Sequence, residues 1–276
     1  MTPPAVRTHV LEWCDPERVF LHHAHRLALS SPGAWPHLVW LDAGPDAREG
    51  FSYVGVDVEE PLTSWGDVRS AVDATQQQRV ENAHRDSLTT EWSASGARFH
   101  VGWVGWRAYD AEACFSRVNT VIEFDHSRRE VTIITCAGAE ATARARTLIA
   151  EAIAGDLTPA CHADAFADTR DGQSTGGSWR DSDAQYLANI ESCRAEIAAG
   201  NAYQLCLTNT YRLDALFHVT DALAVYRRLR RENPSHHGAF ICLNETALLS
   251  SSPEVFLSVS ADGRALTKPI KGTRPR

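Results

Sequence analysis

Near the end of this 276-residue sequence, one carboxylate and one amine stand at a spacing that can bring them together. Glu254 follows Ser250, Ser251, Ser252 and Pro253, and Lys271 sits within Pro269-Ile270-Lys271-Gly272-Thr273. A regular hairpin turning at Asp262-Gly263 would place position 254 opposite position 271. An amine shielded from water by Pro269 and Ile270 has its pKa pushed down, which frees the lone pair a nucleophile needs. A carboxylic acid opposite it can protonate a departing hydroxyl. Spacing alone is also the pattern of an exposed ion pair on a hairpin, and exposed pairs are the commoner case.

Other candidate groups carry less. Gly102 and Gly105, beside Trp103 and Trp106, lack the GxGxxG spacing and the following helix of a phosphate loop, so a tightly packed strand is the better reading. The arginines of Arg227-Arg228-Leu229-Arg230-Arg231 read as the solvated face of a helix. His22, His23, His25, His236 and His237 have no carboxylate or cysteine at ligand spacing and read as packing or surface residues.

The elements that must position Glu254 and Lys271 are mixed. Residues 37–44 and 51–58 read as two strands joined by a loop, 99–110 as a further strand, and 118–124 with 130–136 as a second hairpin, so the front half is mostly antiparallel sheet. The polar residues 73–90 between them read as an exposed excursion. Residues 142–155 read as a helix stopped by Gly155. A linker over 161–180, rich in Asp, Ser and Gly, divides an N-terminal region (1–160) from a second region (181–276). That second region opens with a helix capped by Ser182 or Asp183 and closed by Gly200. It continues with a strand over 203–213, a helix capped by Thr220 or Asp221 and stopped at Asn233-Pro234, a strand over 238–244, and two β-like runs around the turn at 261–263.

Composition bounds the function. The chain is 43% hydrophobic and 22% charged, that of an ordinary globular protein, and 27 basic residues against 35 acidic ones give a formal charge of −8. With a pI near 5.8, no general attraction to nucleic acid or an anionic membrane is expected. Seven scattered cysteines without a CxxC pair argue against a disulfide framework or a zinc site and point to a reducing cytoplasm. No stretch has the run of apolar residues that a signal peptide or membrane span requires.

Three segments, "AGNAYQLCLTNTY", "LSSSPEVFLSV" and "KPIKGTRPR", in this order and spacing, resemble hallmark segments in the catalytic domain of the chorismate-utilising enzymes. Within that superfamily the chain is similar to component I of the aminodeoxychorismate synthases, because anthranilate synthases usually carry alanine at the position of Lys271. The front half resembles the family's N-terminal strand segments, although "LDAG", with Ala43, stands where relatives that hold tryptophan have a serine-bearing motif.

The resemblance implies an α+β fold, a mostly antiparallel two-layer β-sandwich with helices packed outside. It implies that Lys271 attacks C2 of chorismate while Glu254 assists departure of the C4 hydroxyl, with Gly272 and Thr273 against the substrate. Ammonia from a glutamine amidotransferase partner would then add at C4. Mg2+ is implied as cofactor, with its ligands in segments beyond Arg276, so the chain is expected to be an incomplete, sticky and catalytically silent fragment. The alternatives are a noncatalytic partner-binding module and an anthranilate or isochorismate synthase-type enzyme.

Overall fold

The structure is a computed structural model. It describes residues 6–10, 12–30, 34–83, 99, 101–109, 112–155, 176–213, 218–260, 263–270 and 272. The chain forms two compact units, one of Met1–Asp164 with Val219–Arg276 and the other of Ala165–His218.

The larger unit is built on one antiparallel sheet. Its strands are β1 (Val6–Val10), β2 (Leu38–Asp42), β3 (Phe51–Val58), β4 (Gly102–Arg107), β5 (Ala113–Asp125), β6 (Glu130–Thr135), β9 (His237–Leu243) and β10 (Thr246–Ser252). Their order is β1-β6-β5-β3-β2-β9-β10, with β4 paired to β5 off this path. The α+β, mostly antiparallel class expected from the sequence is what the chain adopts.

Alternation along the strands explains why the sheet holds. Trp40, Val54, Ile122, Phe124 and Phe240 point to one face, where they meet Phe20 of α1 (Pro16–Ser30), Leu148 and Ile149 of α3 (Ala139–Ala154) and Tyr226 of α5 (Val219–Glu232). Val39, Tyr53, Val121 and Ile241 form a second cluster on the opposite face. Strand β9 runs His-Gly-Ala-Phe-Ile-Cys-Leu, and every residue after His237 is buried. That fits a central position between β2 and β10. A segment that follows the linker expected over 161–180 therefore completes the sheet begun by the N-terminal region.

Helix α3 shows how its end is satisfied. The Gly155 amide donates to Glu151 O at 2.8 Å, and Arg18 of α1 donates to the carbonyls of Ile153 at 3.0 Å and Gly155 at 2.5 Å. An arginine from a neighbouring helix thus takes the orphan acceptors of the last turn.

Several boundaries differ from expectation. The polar stretch read as an excursion begins inside a helix, α2 (Trp65–Ala83), and its remainder to residue 90 lies outside the described residues. Val68 is the buried side chain among those described on α2, so polarity reflects a mostly solvated helix rather than a loop. Helix α5 starts at Val219, which places Thr220 and Asp221 inside its first turn rather than at the cap. The run from Ala247 onward divides into β10 and β11 (Val255–Val259), because Pro253 cannot donate to a ladder. β9 and β10 are joined by the two-residue turn Asn244-Glu245, with φ of 49° and 58°, the left-handed pair that suits a tight hairpin.

In the smaller unit, β7 (Gly177–Trp179) pairs with β8 (Tyr211–Leu213), and α4 (Asp183–Ala198) lies between them in sequence. Ser182 caps α4 by accepting from the Gln185 amide, and Gly200 follows its end at φ 80°. The strand expected over 203–213 is reduced to the three residues of β8. An alternating pattern becomes a strand only against a partner, and the partner among the described residues, β7, is three residues long. Most of the linker expected over 161–180, residues 161–175, lies outside the described residues.

Candidate functional site

Glu254 lies between β10 and β11, half-buried, and its carbonyl accepts from Ser252 Oγ at 3.3 Å. Strand β11 pairs with β12 (Ala265–Lys268) around a turn in which Ser260 N donates to Arg264 O and Gly263 N to Ser260 O, each at 2.9 Å. Gly263 has φ 81°, so the glycine of the expected turn does serve it.

The register departs from the expected one. Val259 pairs with Ala265 and Ser258 with Leu266, but an irregularity between Val255 and Ser258 shifts the ladder so that Val255 pairs with Lys268. Continued by one residue, this register sets Pro269, not Lys271, opposite Glu254. The difference arises from a turn centred slightly earlier than Asp262-Gly263 and from the extra residue that a bulge inserts. Lys271 and Thr273 lie outside the described residues. Gly272 is exposed, with open space where a Cβ would stand. Ile270, expected to shield the lysine, is 55% exposed.

The polar contacts nearest Glu254 join the C-terminal end of β10 to the turn between α5 and β9. Ser235 Oγ donates to the carbonyl of Ser252. Ser251 Oγ donates to Asn233 O at 2.5 Å, and Asn233 Nδ2 donates to Ser251 Oγ at 3.2 Å. Burial, then the neighbouring His236 and Lys268, hold His237 below the ordinary histidine range.

A charged cluster that sequence reading missed lies directly behind these serines. Arg230, read as part of a solvated arginine face, is 8% exposed. It donates to Asp42 from Nε at 2.6 Å and from Nη2 at 3.3 Å, and to Glu17 from Nη1 at 2.8 Å. Arg227 also donates to Glu17, at 2.7 Å, while Arg228 pairs with Glu232 on the exposed side as expected. Tyr226 Oη donates to Asp42 at 3.2 Å, and burial together with that carboxylate pushes the tyrosine hydroxyl up, keeping it a donor. A signal was available: Val219, Ala222, Tyr226 and Arg230 fall on one stripe of the helix, so the arginine shares the buried face.

The neighbouring "LDAG" turn is held by backbone and side-chain contacts. Ala43 N donates to Ser52 Oγ at 3.0 Å, Ser52 Oγ lies 2.8 Å from His126 Nε2, and Gly44 N donates to Asp42 at 2.9 Å. Burial holds His126 below its usual range. Of the other histidines, His23 is buried at 6% exposure and His22 lies 3.2 Å from Glu151. Gly105 confirms the packed-strand reading of β4, since a Cβ there would meet Cys114 O at 1.9 Å.

This architecture is similar to that of anthranilate synthase component I from Streptococcus pneumoniae TIGR4, with a TM-score of 0.53 at 15% identity, covering 86% of this chain and 57% of that one. The likeness defines the fold. The sequence matches the model of the chorismate binding enzymes over residues 37–276, and the chain belongs to that family. It is 31% identical to an aminodeoxychorismate synthase of Streptomyces griseus over 87% of this chain and 37% of the relative. It is 30% identical to a 2-amino-4-deoxychorismate synthase of Streptomyces globisporus over 70% of this chain and 41% of the relative. A 98-residue stretch is 44% identical to the aminodeoxychorismate synthase of Streptomyces pristinaespiralis. The chain thus spans about two fifths of the length of the first two of these relatives.

Among the described residues no helix is long and apolar enough to cross a membrane. No group of three or more His, Cys, Asp or Glu side chains among them is arranged to hold a metal ion. The donor set for magnesium is therefore not met by these residues.

Proposed function

We propose that this chain is part of component I of an aminodeoxychorismate synthase, aminating chorismate at C4. The observation that carries the reading is the similarity to the Streptomyces griseus aminodeoxychorismate synthase over 87% of this chain, together with a lysine at position 271 of the "PIKGT" segment. In the proposed reaction the neutral Lys271 amine bonds to C2 of chorismate, the ring double bonds shift, and the C4 hydroxyl leaves as water with the proton of Glu254. Ammonia then bonds to C4, the double bonds shift back, and the C2–N bond to Lys271 breaks. The product is 4-amino-4-deoxychorismate, and the lysine amine is regenerated. Gly272 allows close backbone approach to the substrate and Thr273 offers it a hydroxyl.

In this reading residues 1–160 are the N-terminal region, 161–180 the linker and 181–276 the first part of the catalytic region. A glutamine amidotransferase partner supplies the ammonia, magnesium is bound by residues other than those described, and the protein works in the cytoplasm, where its scattered cysteines stay reduced. Chromatography of the products of chorismate and ammonium tests the reading. The chain joined at Arg276 to the remaining length of the Streptomyces griseus relative should yield aminodeoxychorismate, whereas the 276-residue chain alone should yield none. Anthranilate or isochorismate as the product would overturn the assignment.

A partner-binding module is the second reading, favoured by the large apolar side chains left open. Tyr203 is 98% exposed, Phe256 89% and Leu187 63%. An in-frame continuation of the coding sequence past Arg276 into the remaining catalytic segments favours the enzyme; a stop there favours the module.

A further inference from the structure

We propose that the turn Asn233–Ser235, between α5 and β9, is a positioning element for Glu254 that fixes the β10–β11 junction. The proposal rests on Glu254 being the acid of the reaction above, and it concerns residues to which nothing so far has given a part in it.

The β9–β10 ladder ends at the pairs Ser251 with Gly238 and Ser252 with His237. Pro253 has no N–H with which to extend it, so the backbone that leads into Glu254 must be held by other means. Side-chain hydroxyls do this. Ser235 Oγ gives its one proton to the Ser252 carbonyl and accepts from the His237 amide at 3.1 Å. Ser252 Oγ gives its proton onward to the Glu254 carbonyl at 3.3 Å. One residue earlier, Asn233 and Ser251 exchange two hydrogen bonds. Each serine has a single donor, so the direction of this relay is set by the chemistry of the hydroxyl.

The turn is itself anchored. Asn233 N donates to Leu229 O at 2.8 Å, continuing α5, and α5 is tied to β2 through Arg230 and Asp42. On its other side lies Gly44, at φ 103°, where a Cβ would come within 3.0 Å of Ser235 O. Both the backbone angle and the close approach call for glycine. The path from the N-terminal strand to the acid is therefore continuous: Asp42 to Arg230, the α5 end to Asn233 and Ser235, and these to Ser251, Ser252 and Glu254. A carboxylic acid that must meet one oxygen of a bound ring needs its backbone fixed in this way.

The test uses the 276-residue chain labelled with 13C-carboxyl glutamate, the Glu254 signal being assigned by its loss in Glu254→Gln. Ser235→Ala and Ser252→Ala should each shift and broaden the Glu254 signal and speed amide exchange at Val255 by about 2- to 10-fold, the loss of one hydrogen bond. Ser235→Thr, which keeps the hydroxyl, should restore both, and exchange at Phe240 and Ile241 should not change in any variant. An unmoved Glu254 signal and unchanged Val255 exchange in Ser235→Ala, or an equal loss of protection throughout β9, would overturn the proposal. In the extended protein described above, Ser235→Ala should lower kcat with KM held. If that protein makes no aminodeoxychorismate, the functional reading fails, while the resonance measurement still decides whether the turn positions Glu254.

Discussion

Replacing Arg230 with methionine would leave the Asp42 carboxylate, 3% exposed, with only the Tyr226 hydroxyl and the Gly44 amide as the donors described for it above. The methionine fills much of the arginine stem's volume, so the change isolates the loss of the guanidinium rather than opening a large cavity. Breaking one side of a buried ion pair costs about 3–5 kcal/mol, since the remaining charge is stranded away from water. Glu17 loses one of its two arginines as well, although it is more accessible and keeps Arg227. At roughly 2–4 °C per kcal/mol for a domain of this size, the expected fall in melting temperature is about 6–20 °C. The control is Arg228→Met on the same helix. Its partner Glu232 and its own side chain are 63% and 59% exposed, and such pairs contribute about 0–1 kcal/mol. Thermal unfolding followed by circular dichroism compares the two. Salt should shrink the small Arg228 effect and leave the large Arg230 effect nearly unchanged, because the buried pair is poorly screened. If Arg230→Met and Arg228→Met melt within 2 °C of each other, the buried cluster does not stabilise the fold as argued.

Further outcomes follow from other parts of the molecule. His23 is held near a pKa of about 4 by burial first and Arg26 second, below its ordinary 6.5. Its contribution to stability is full above pH 6.5 and falls away as pH drops toward 4, by about 3 kcal/mol in all. A His23→Leu variant should flatten that part of the stability-versus-pH curve measured by urea unfolding. Gly105→Ala should destabilise by more than about 2 kcal/mol, because backbone atoms of Cys114 and Phe115 occupy the space and cannot swing away; urea midpoints would show it. In the extended protein, Lys271→Ala should abolish C4 amination while leaving the melting temperature within about 2 °C of wild type, since the residue follows an exposed strand.

The strands were readable because burial on one or both faces leaves a pattern that needs no knowledge of partners. β2, β3, β5 and β6 carry alternating or continuous apolar residues, and α3 and α4 carry both periodicity and stop signals, so their existence followed from local chemistry. What was not readable depended on who pairs with whom. That β9 joins β2 requires a contact between residues about 200 positions apart, and nothing in "GAFICL" specifies which edge it completes. α2 escaped notice because its described side chains bury little and leave no apolar stripe to see. β8 shrank because alternation over 203–213 found only a three-residue partner among the described strands.

The geometry around Glu254 was not legible in the sequence, and the reason is the hairpin. An irregularity near Val255, together with a turn centred slightly earlier than expected, moves the position opposite Glu254 from 271 to 269, because a bulge shifts the ladder beyond it. No composition rule sets that register. The support for Glu254 escaped for a related reason: it comes from serines and an asparagine on a turn, residues ordinarily read as solvent-facing, and from an arginine taken for part of a charged face. Their roles appear only once α5 is laid across β2 and β9. The N-terminal region then has a physical task in the proposed chemistry. Asp42 and Gly44 fix the end of α5, and the turn that follows fixes the strand end that carries the acid. A change at either residue should therefore reach Glu254 without touching the substrate, through a path made of packed backbone and hydrogen bonds.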